Sequence, residues 1–433
     1  MAVTSFSTTG FDKLLLEFVK PGLEKQFYTN TKLYDRFKTR PETVYGKYGV
    51  IKVSTSGAQS ARPSSSTSFP TAQAGGYNEF HFYLKRGMYG SLQFDNLTAA
   101  CSKGAGAVKE LVRSEVDNIE ATISNRMNKQ FWGDGSGRLC QVAAAVSNSA
   151  TVTVDSPIFG IDSNDYTAPS LLLEADLHVD IYDTSGNLEA EDVTISSISE
   201  GGAGTDTLTM SAALTCSNNA WVFLHDTYAS SEAAGTGTPM GLWGIVTTAN
   251  PYVGITATTA FQNINRSNDA WAQAQVFDMG TSAAAPAVIT NKKMLEVVQK
   301  VENYGKVDVI ITNGIIWRNY YSILEADKTL PNEKVFWGGT SGLAFYGGRG
   351  NALPIIWDDD CPDQSMLFLD SSKIVISAPS KGGMEWVPGD TGHILTRVQG
   401  KDEVVANLRW YYQMTTSKPK ALGKLQYIKH DES

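Results

Sequence analysis

A chain of 433 residues exceeds what one compact core usually holds, and its 42% hydrophobic and 19% charged residues are those of a globular protein, which excludes bulk disorder. The net charge of −9 is unevenly spread: no Lys or Arg occurs between Arg138 and Arg266, a stretch that carries 14 Asp and Glu, whereas residues 1–138 carry 18 basic and 12 acidic side chains. The chain outside the acidic stretch is too mildly charged for a dedicated DNA binder.

Residues 1–48 are mixed. Phe11–Val19 reads as a short helix that Pro21-Gly22 breaks, and a second short helix follows through Leu23 and Phe27. So little apolar surface does not fold alone, so this segment is an arm that packs on something else. Tyr48–Ser54 (YGVIKVS) reads as a strand. From Ser56 to Gly76 composition falls to small and polar residues, and extended sequence resumes at Glu79 and runs to about Phe94. Two strands joined by a polar tip of this length form a projecting, functional loop rather than part of a core. Ala107–Phe131 reads as a long amphipathic helix, because Val108, Val112, Val116, Ile119, Ile123 and Met127 share one face. Gly133-Asp134-Gly135-Ser136-Gly137 stops it.

Residues 139 to about 228 read as all-β, with alternation at Ala150–Val154, His178–Asp183, Val193–Ile195 and Thr207–Met210 and turn signals between them. A small barrel or sandwich is expected, and the composition shift at both ends marks it as an insertion in a host fold. Beyond it, helix at Thr290–Tyr304, strand at Val307–Asn313 and helix at Ile316–Leu324 form an α/β layer. Strands at Pro354–Trp357, Ser365–Leu369, Lys373–Ser377, Val404–Thr415 and Gly423–Ile428 close the chain.

The motifs of catalysis are missing: there is no GxxxxGK[ST], GxSxG or HExxH. The glycine-rich 133–137 and 347–350 read as turns. Cys101, Cys140, Cys216 and Cys361 are scattered without CxxC spacing, which suggests reduced, mostly buried thiols and argues against zinc or a disulfide framework. His81, His178, His225, His393 and His430 are dispersed, and nothing in the sequence pairs them. Asp358-Asp359-Asp360 has the oxygen ligands for a divalent cation, but a solvated turn between strands is the expected reading. No catalytic, cofactor-binding or metal-binding residue is therefore assigned, and no enzyme is expected. The first ten residues have no basic n-region and Leu14–Leu16 is too short for an apolar one, so a cytoplasmic protein without a membrane span is expected.

The order of parts resembles the major capsid proteins of tailed bacteriophages, which have the Hong Kong 97-type fold. Three stretches carry the resemblance: the long helix ending in Phe131-Trp132-Gly133-Asp134-Gly135, the segment Val307–Asn313, and Leu408–Met414 (LRWYYQM). The resemblance implies an α+β chain with an N-terminal arm (1–48), an extended loop (49–97) and a peripheral domain with its spine helix (98–138). An inserted acidic β domain (139–228), a return to the peripheral domain (229–289), an axial domain (290–385) and closing strands (386–433) follow. Phe336–Gly350 would approach the five-fold and six-fold centres. The implied function is a non-enzymatic subunit of an icosahedral virion, assembled in the host cytoplasm. Its implied partners are itself, as pentamers and hexamers, a portal protein at one vertex, a decoration protein, and packaged double-stranded DNA held by non-specific contact. The chain is read as lacking a long N-terminal scaffolding segment, so a separate scaffolding protein is expected. Some members of the family lock the extended loop covalently through a lysine; here Gly57–Asn78 contains no Lys, so a non-covalent contact is expected. Two alternatives stay open: an encapsulin-like compartment shell, and a β-rich surface or adhesion protein whose 139–228 region binds carbohydrate.

Overall fold

The computed structural model describes residues 31–429 except 38–40, 47, 59, 64–68, 70, 96–104, 158–169, 171, 202–204, 230–236, 250–260, 284, 327–343, 349–350, 380–384, 389–395 and 399. The helices expected at Phe11–Val19 and through Leu23–Phe27, together with Cys101, His393, His430 and most of Phe336–Gly350, lie outside the described residues.

In chain order, α1 (Lys32–Phe37) and β1 (Pro41–Thr43) precede a hairpin of β2 (Tyr48–Ser54) and β3 (Tyr77–Tyr83). β4 (Lys85–Asp95) then leads to α2 (Ala105–Trp132). Six strands follow: β5 (Arg138–Val142), β6 (Val146–Pro157), β7 (His178–Tyr182), β8 (Leu188–Glu200), β9 (Asp206–Cys216) and β10 (Trp221–Leu224). The chain continues through α3 (Leu242–Ile245), β11 (Gln275–Asp278), α4 (Asn291–Glu302), β12 (Val309–Thr312) and α5 (Gly314–Ala326). It ends with β13 (Ala344–Gly348), β14 (Asn351–Trp357), β15 (Met366–Leu369), β16 (Ile374–Ala378), β17 (Glu385–Trp386), β18 (Thr396–Arg397), β19 (Glu403–Thr416) and β20 (Gly423–Gln426).

One six-stranded sheet runs β11-β20-β15-β12-β14-β13. Its central strands alternate between two cores. Val309, Ile311, Leu367 and Leu369 enter the larger core, while Ile310, Met366 and Phe368 meet α4 and α5 on the other side. Burial on both faces explains why these strands read as unbroken apolar runs. Thr290 caps α4 by accepting from Lys293 N at 3.3 Å, and Met294, Val297, Val298 and Val301 form the face it buries. Asn313 Oδ1 accepts from Ile316 N at 2.9 Å, so the strand β12 passes directly into α5 through a capping side chain.

A second sheet is built on β19, which pairs along its length with β4 and also with β16, β17 and β18. α2 lies against it. Its 28 residues span about 42 Å. Ile123, Met127 and Phe131 are buried on the expected apolar face; the side chains of Val108 and Val112 lie outside the described residues. Phe131 packs edge-on against Tyr412 at 5.6 Å and Trp410 at 6.5 Å, and Tyr412 Oη donates to Gln130 Oε1 at 2.7 Å. These contacts bring two of the three resemblance-bearing stretches together. The single extended run expected from Glu79 to about Phe94 is instead divided at Leu84, where the chain leaves the hairpin and joins β19. Gly87 permits that step: a Cβ there would sit 2.3 Å from the Tyr412 ring.

The strands from 138 to 224 close into a barrel in the order β10-β5-β6-β9-β8-β7. Its interior is Val142, Val152, Val154, Val179, Ile181, Ile195, Leu208 and Val222 with their neighbours. The chain enters at Gly133–Arg138 and leaves past Thr227, and the two passages touch. Asp134 bridges Met240, and a Cβ on Gly137, whose φ is +88°, would lie 2.6 Å from Thr227 O. Arg138 donates to Asp134 Oδ2 at 2.5 Å and lies 4.6 Å from the Trp221 ring centroid. Arg266, the cation at the other end of the Lys- and Arg-free stretch, is fully buried and donates to the carbonyls of Gly244, Ile245 and Ala272. Both cations that bound the acidic stretch are thus built into the frame rather than displayed.

Candidate functional site

Among the described residues the β2–β3 hairpin is a sheet of two strands that pairs with no third. Such a unit is marginal in water unless one face packs. Register and alternation assign its faces. Gly49↔Phe82 and Ile51↔Phe80 point to the body; Tyr48↔Tyr83, Val50↔His81 and Lys52↔Glu79 point away. The inner face is anchored at Phe80, fully buried 4.9 Å from Trp271 and 6.0 Å from Phe261, ring centroid to centroid. His81 N donates to Gln262 O at 3.0 Å. Gly49 lets the Phe82 ring cross the sheet, since a Cβ there would lie 2.2 Å from the ring.

Among the described residues the outer face has no such cover. Tyr48 stacks on His81 at 6.0 Å and tilts against Tyr83 at 6.2 Å, while His81 Nε2 and Glu79 Oε1 are 2.8 Å apart. Tyr48 and Val50 stay exposed, as do Tyr77 (75%) and, among the described tip residues, Phe69 (98%); Tyr45, ahead of the hairpin's base, is 92% exposed. Exposed aromatic side chains grouped on one face are typical of association surfaces. Among its described residues the region contains no arrangement of acid, base and nucleophile.

The residues weighed from sequence for other chemistry resolve differently. Asp358 and Asp360 are fully buried, which corrects the expectation of a solvated turn; only Asp359 faces water. The turn itself is present, and protein groups replace the water. Asp360 N donates to Asp358 Oδ1 at 3.0 Å, and Asn128 Nδ2 donates to Asp360 Oδ2 at 2.6 Å. Asn128 Oδ1 in turn accepts from Leu33 N at 2.8 Å and Tyr34 N at 3.1 Å, two first-turn amides of α1. Among the described residues no group of three or more His, Cys, Asp or Glu is placed to hold a metal ion, and no helix is long and apolar enough to cross a membrane. Cys140, Cys216 and Cys361 are buried free thiols, and burial followed by the neighbouring Asp358 pushes the Cys361 pKa well up. Sequence reading left the histidines apart, yet His178 and His225 meet on the barrel through Asp192 and Asp180. Only the register of β7 with β8 and β10 brings them together, and no spacing in the sequence signals that.

No family model matches the chain, and no curated protein matches it. Solved structures do. The chain from the capsid asymmetric unit of cyanophage A-1(L) aligns over 98% of this chain and 99% of its own, with 13% identity and a TM-score of 0.54. The encapsulin of the holo-SrpI complex from Synechococcus elongatus PCC 7942 aligns over 99% and 98% at 9% identity and a TM-score of 0.47. A subunit from the capsid of the native GTA particle aligns over 99% and 100% at 9% identity and a TM-score of 0.45. On the first of these, this α+β chain shares the fold of a cyanophage capsid protein along nearly its whole length.

Proposed function

We propose that the chain is the major capsid protein of a tailed phage, a non-enzymatic subunit that assembles into an icosahedral head around double-stranded DNA. The observation that carries this reading is the near end-to-end correspondence with the cyanophage A-1(L) capsid chain. The hairpin supports it, because among the described residues nothing of the chain covers its outer face of exposed Tyr48, Val50 and Tyr77, a surface suited to a second copy. In this reading α2 is the spine helix of the peripheral domain, the sheet centred on β12 with α4 and α5 is the axial domain, and the barrel is an insertion between them. The partners are further copies of the chain, a scaffolding protein, a portal at one vertex and a decoration protein. Negative-stain microscopy of the protein co-expressed with its scaffold tests this directly: closed shells, pentamers or hexamers are expected. The same particles on a denaturing gel are expected to give one monomer band, because the loop tip Gly57–Asn78 has no Lys to supply a cross-linking amine. A monodisperse monomer at high concentration with scaffold present rejects the proposal. Shells filled with protein cargo instead of DNA would reassign the chain to a cellular compartment.

A further inference from the structure

The barrel holds a polar network that the shell reading does not use. Asp180, on β7, is almost fully buried, and its carboxylate accepts three hydrogen bonds. They come from His225 Nδ1 at 2.8 Å, Asp192 N at 2.8 Å and Asp226 N at 3.0 Å. Asp192 and Asp226 both adopt left-handed backbone, with φ of +50° and +61°. One sits where β8 shifts register against β7, and the other lies just past the end of β10. A single carboxylate therefore fastens a bulge and a strand exit whose conformations non-glycine residues adopt reluctantly. His178 extends the network, with Nδ1 2.6 Å from Asp192 Oδ1 and its carbonyl accepting from His225 N at 3.0 Å. Directly beyond lies Thr227, whose carbonyl touches Gly137 where the chain enters the barrel.

We propose that the His178–Asp192–Asp180–His225 network is a pH-sensitive clasp that holds the barrel's last strand, and the chain's exit from the barrel, more firmly in acid than in alkali. The groups facing His225 are Asp180 and His178 from β7, Asp192 from β8, and Asp226 beside it in sequence. No Lys or Arg occurs from 139 to 265 to compete for these carboxylates. The hydrogen bond from Asp180 raises the His225 pKa above its ordinary value, burial opposes this, and the charges of Asp180, Asp226 and Asp192 add to the rise. A histidine raised in the folded state stabilises fully below its unfolded value, about 6.5, and that contribution is lost as pH climbs through the folded value. The clasp is thus an imidazolium–carboxylate ion pair on the acid side and the weaker hydrogen bond of a neutral imidazole to a carboxylate on the alkaline side.

Hydrogen–deuterium exchange of the full chain, corrected for intrinsic exchange rates, reads the clasp at its own amides. Peptides covering 189–195 and 222–229 are expected to be roughly three- to tenfold more protected at pH 6 than at pH 8.5, with the β6–β9 pairing unchanged. His225→Gln is expected to abolish that ratio. Equal protection at both pH values, or a ratio that survives the substitution, overturns the proposal. The wild-type profile needs no variant: its midpoint has to lie above about 6.5, and a fall centred in the carboxylate range overturns the proposal equally.

Discussion

Asn128 lies near the C-terminal end of the long helix, where an amide side chain ordinarily faces water, yet it is fully buried between α1 and the 358–360 turn. Its oxygen serves the amides that begin α1 and its nitrogen serves the Asp360 carboxylate, so one residue ties three separate parts of the chain. Asn128→Ala removes both functions and is expected to cost about 2–4 kcal/mol, the range for stripping partners from buried polar groups. Asn128→Asp retains the acceptor for Leu33 and Tyr34 but sets a third carboxylate beside Asp358 and Asp360. It is expected to be the more damaging of the two in urea unfolding of the unassembled chain; an aspartate variant as stable as wild type would refute the hub. Lys424 offers a second test at this scale. Burial lowers its pKa to about 8, Asp278 opposes that and Arg266 adds to it, while its ammonium lies 3.9 Å from the Trp243 ring centroid. The unfolded chain keeps this proton up to about 10.4. Between the two values the unfolded state binds more protons, so stability rises with pH across that window. The shift corresponds to about 3 kcal/mol. Lys424→Met is expected to be more stable at neutral pH and to lose this part of the pH slope, and unchanged slopes in denaturant titrations at pH 7.5 and 10 would count against it.

At the scale of elements, the hairpin separates folding from association. Phe80 secures its base to Phe261 and Trp271, whereas Tyr48 and Val50 touch little of their own molecule's core. Phe80→Ala is expected to destabilise the chain by about 3–5 kcal/mol, the usual range for emptying a buried aromatic site. The double variant Tyr48→Ser/Val50→Ser is expected to keep the circular dichroism spectrum and lose most of its particle yield; full yield would show that the outer face is not an interface. Much of this architecture was legible in the sequence because local periodicity records burial. The face Ile119, Ile123 and Met127 marked α2, and the doubly buried runs 309–312 and 366–369 marked strands. β5 and β10 were not legible, since Arg138–Val142 and Trp221–Leu224 become barrel strands only through partners far along the chain. The Asn128 hub and the two-histidine network stayed hidden for the same reason: each joins residues by register and packing, neither of which leaves a spacing in the sequence.

For the whole molecule, the distribution of charge bears on which way the barrel points. Fourteen carboxylates and no Lys or Arg lie within 139–265, and DNA phosphates carry the same sign. In a DNA-filled shell such a module is electrostatically favoured on the outside, where it is solvated and keeps particles apart. Entry and exit passages that touch at Gly137 and Thr227 suit a module borne on one narrow stalk. Bracing of neighbouring subunits is compatible with the same orientation. A Glu-specific protease tests the placement on intact, DNA-filled particles; trypsin finds no site in that stretch. Glu189 and Glu191 lie within β8, and Glu189 accepts hydrogen bonds from Ser217, so both are expected to resist. Glu200 ends that strand, is exposed, and is followed by Gly201-Gly202. Cleavage is therefore expected first at Glu200, leaving the particle intact. If Glu200 is protected until the shell is opened, the barrel faces inward or is sealed between subunits, and the outward placement is wrong.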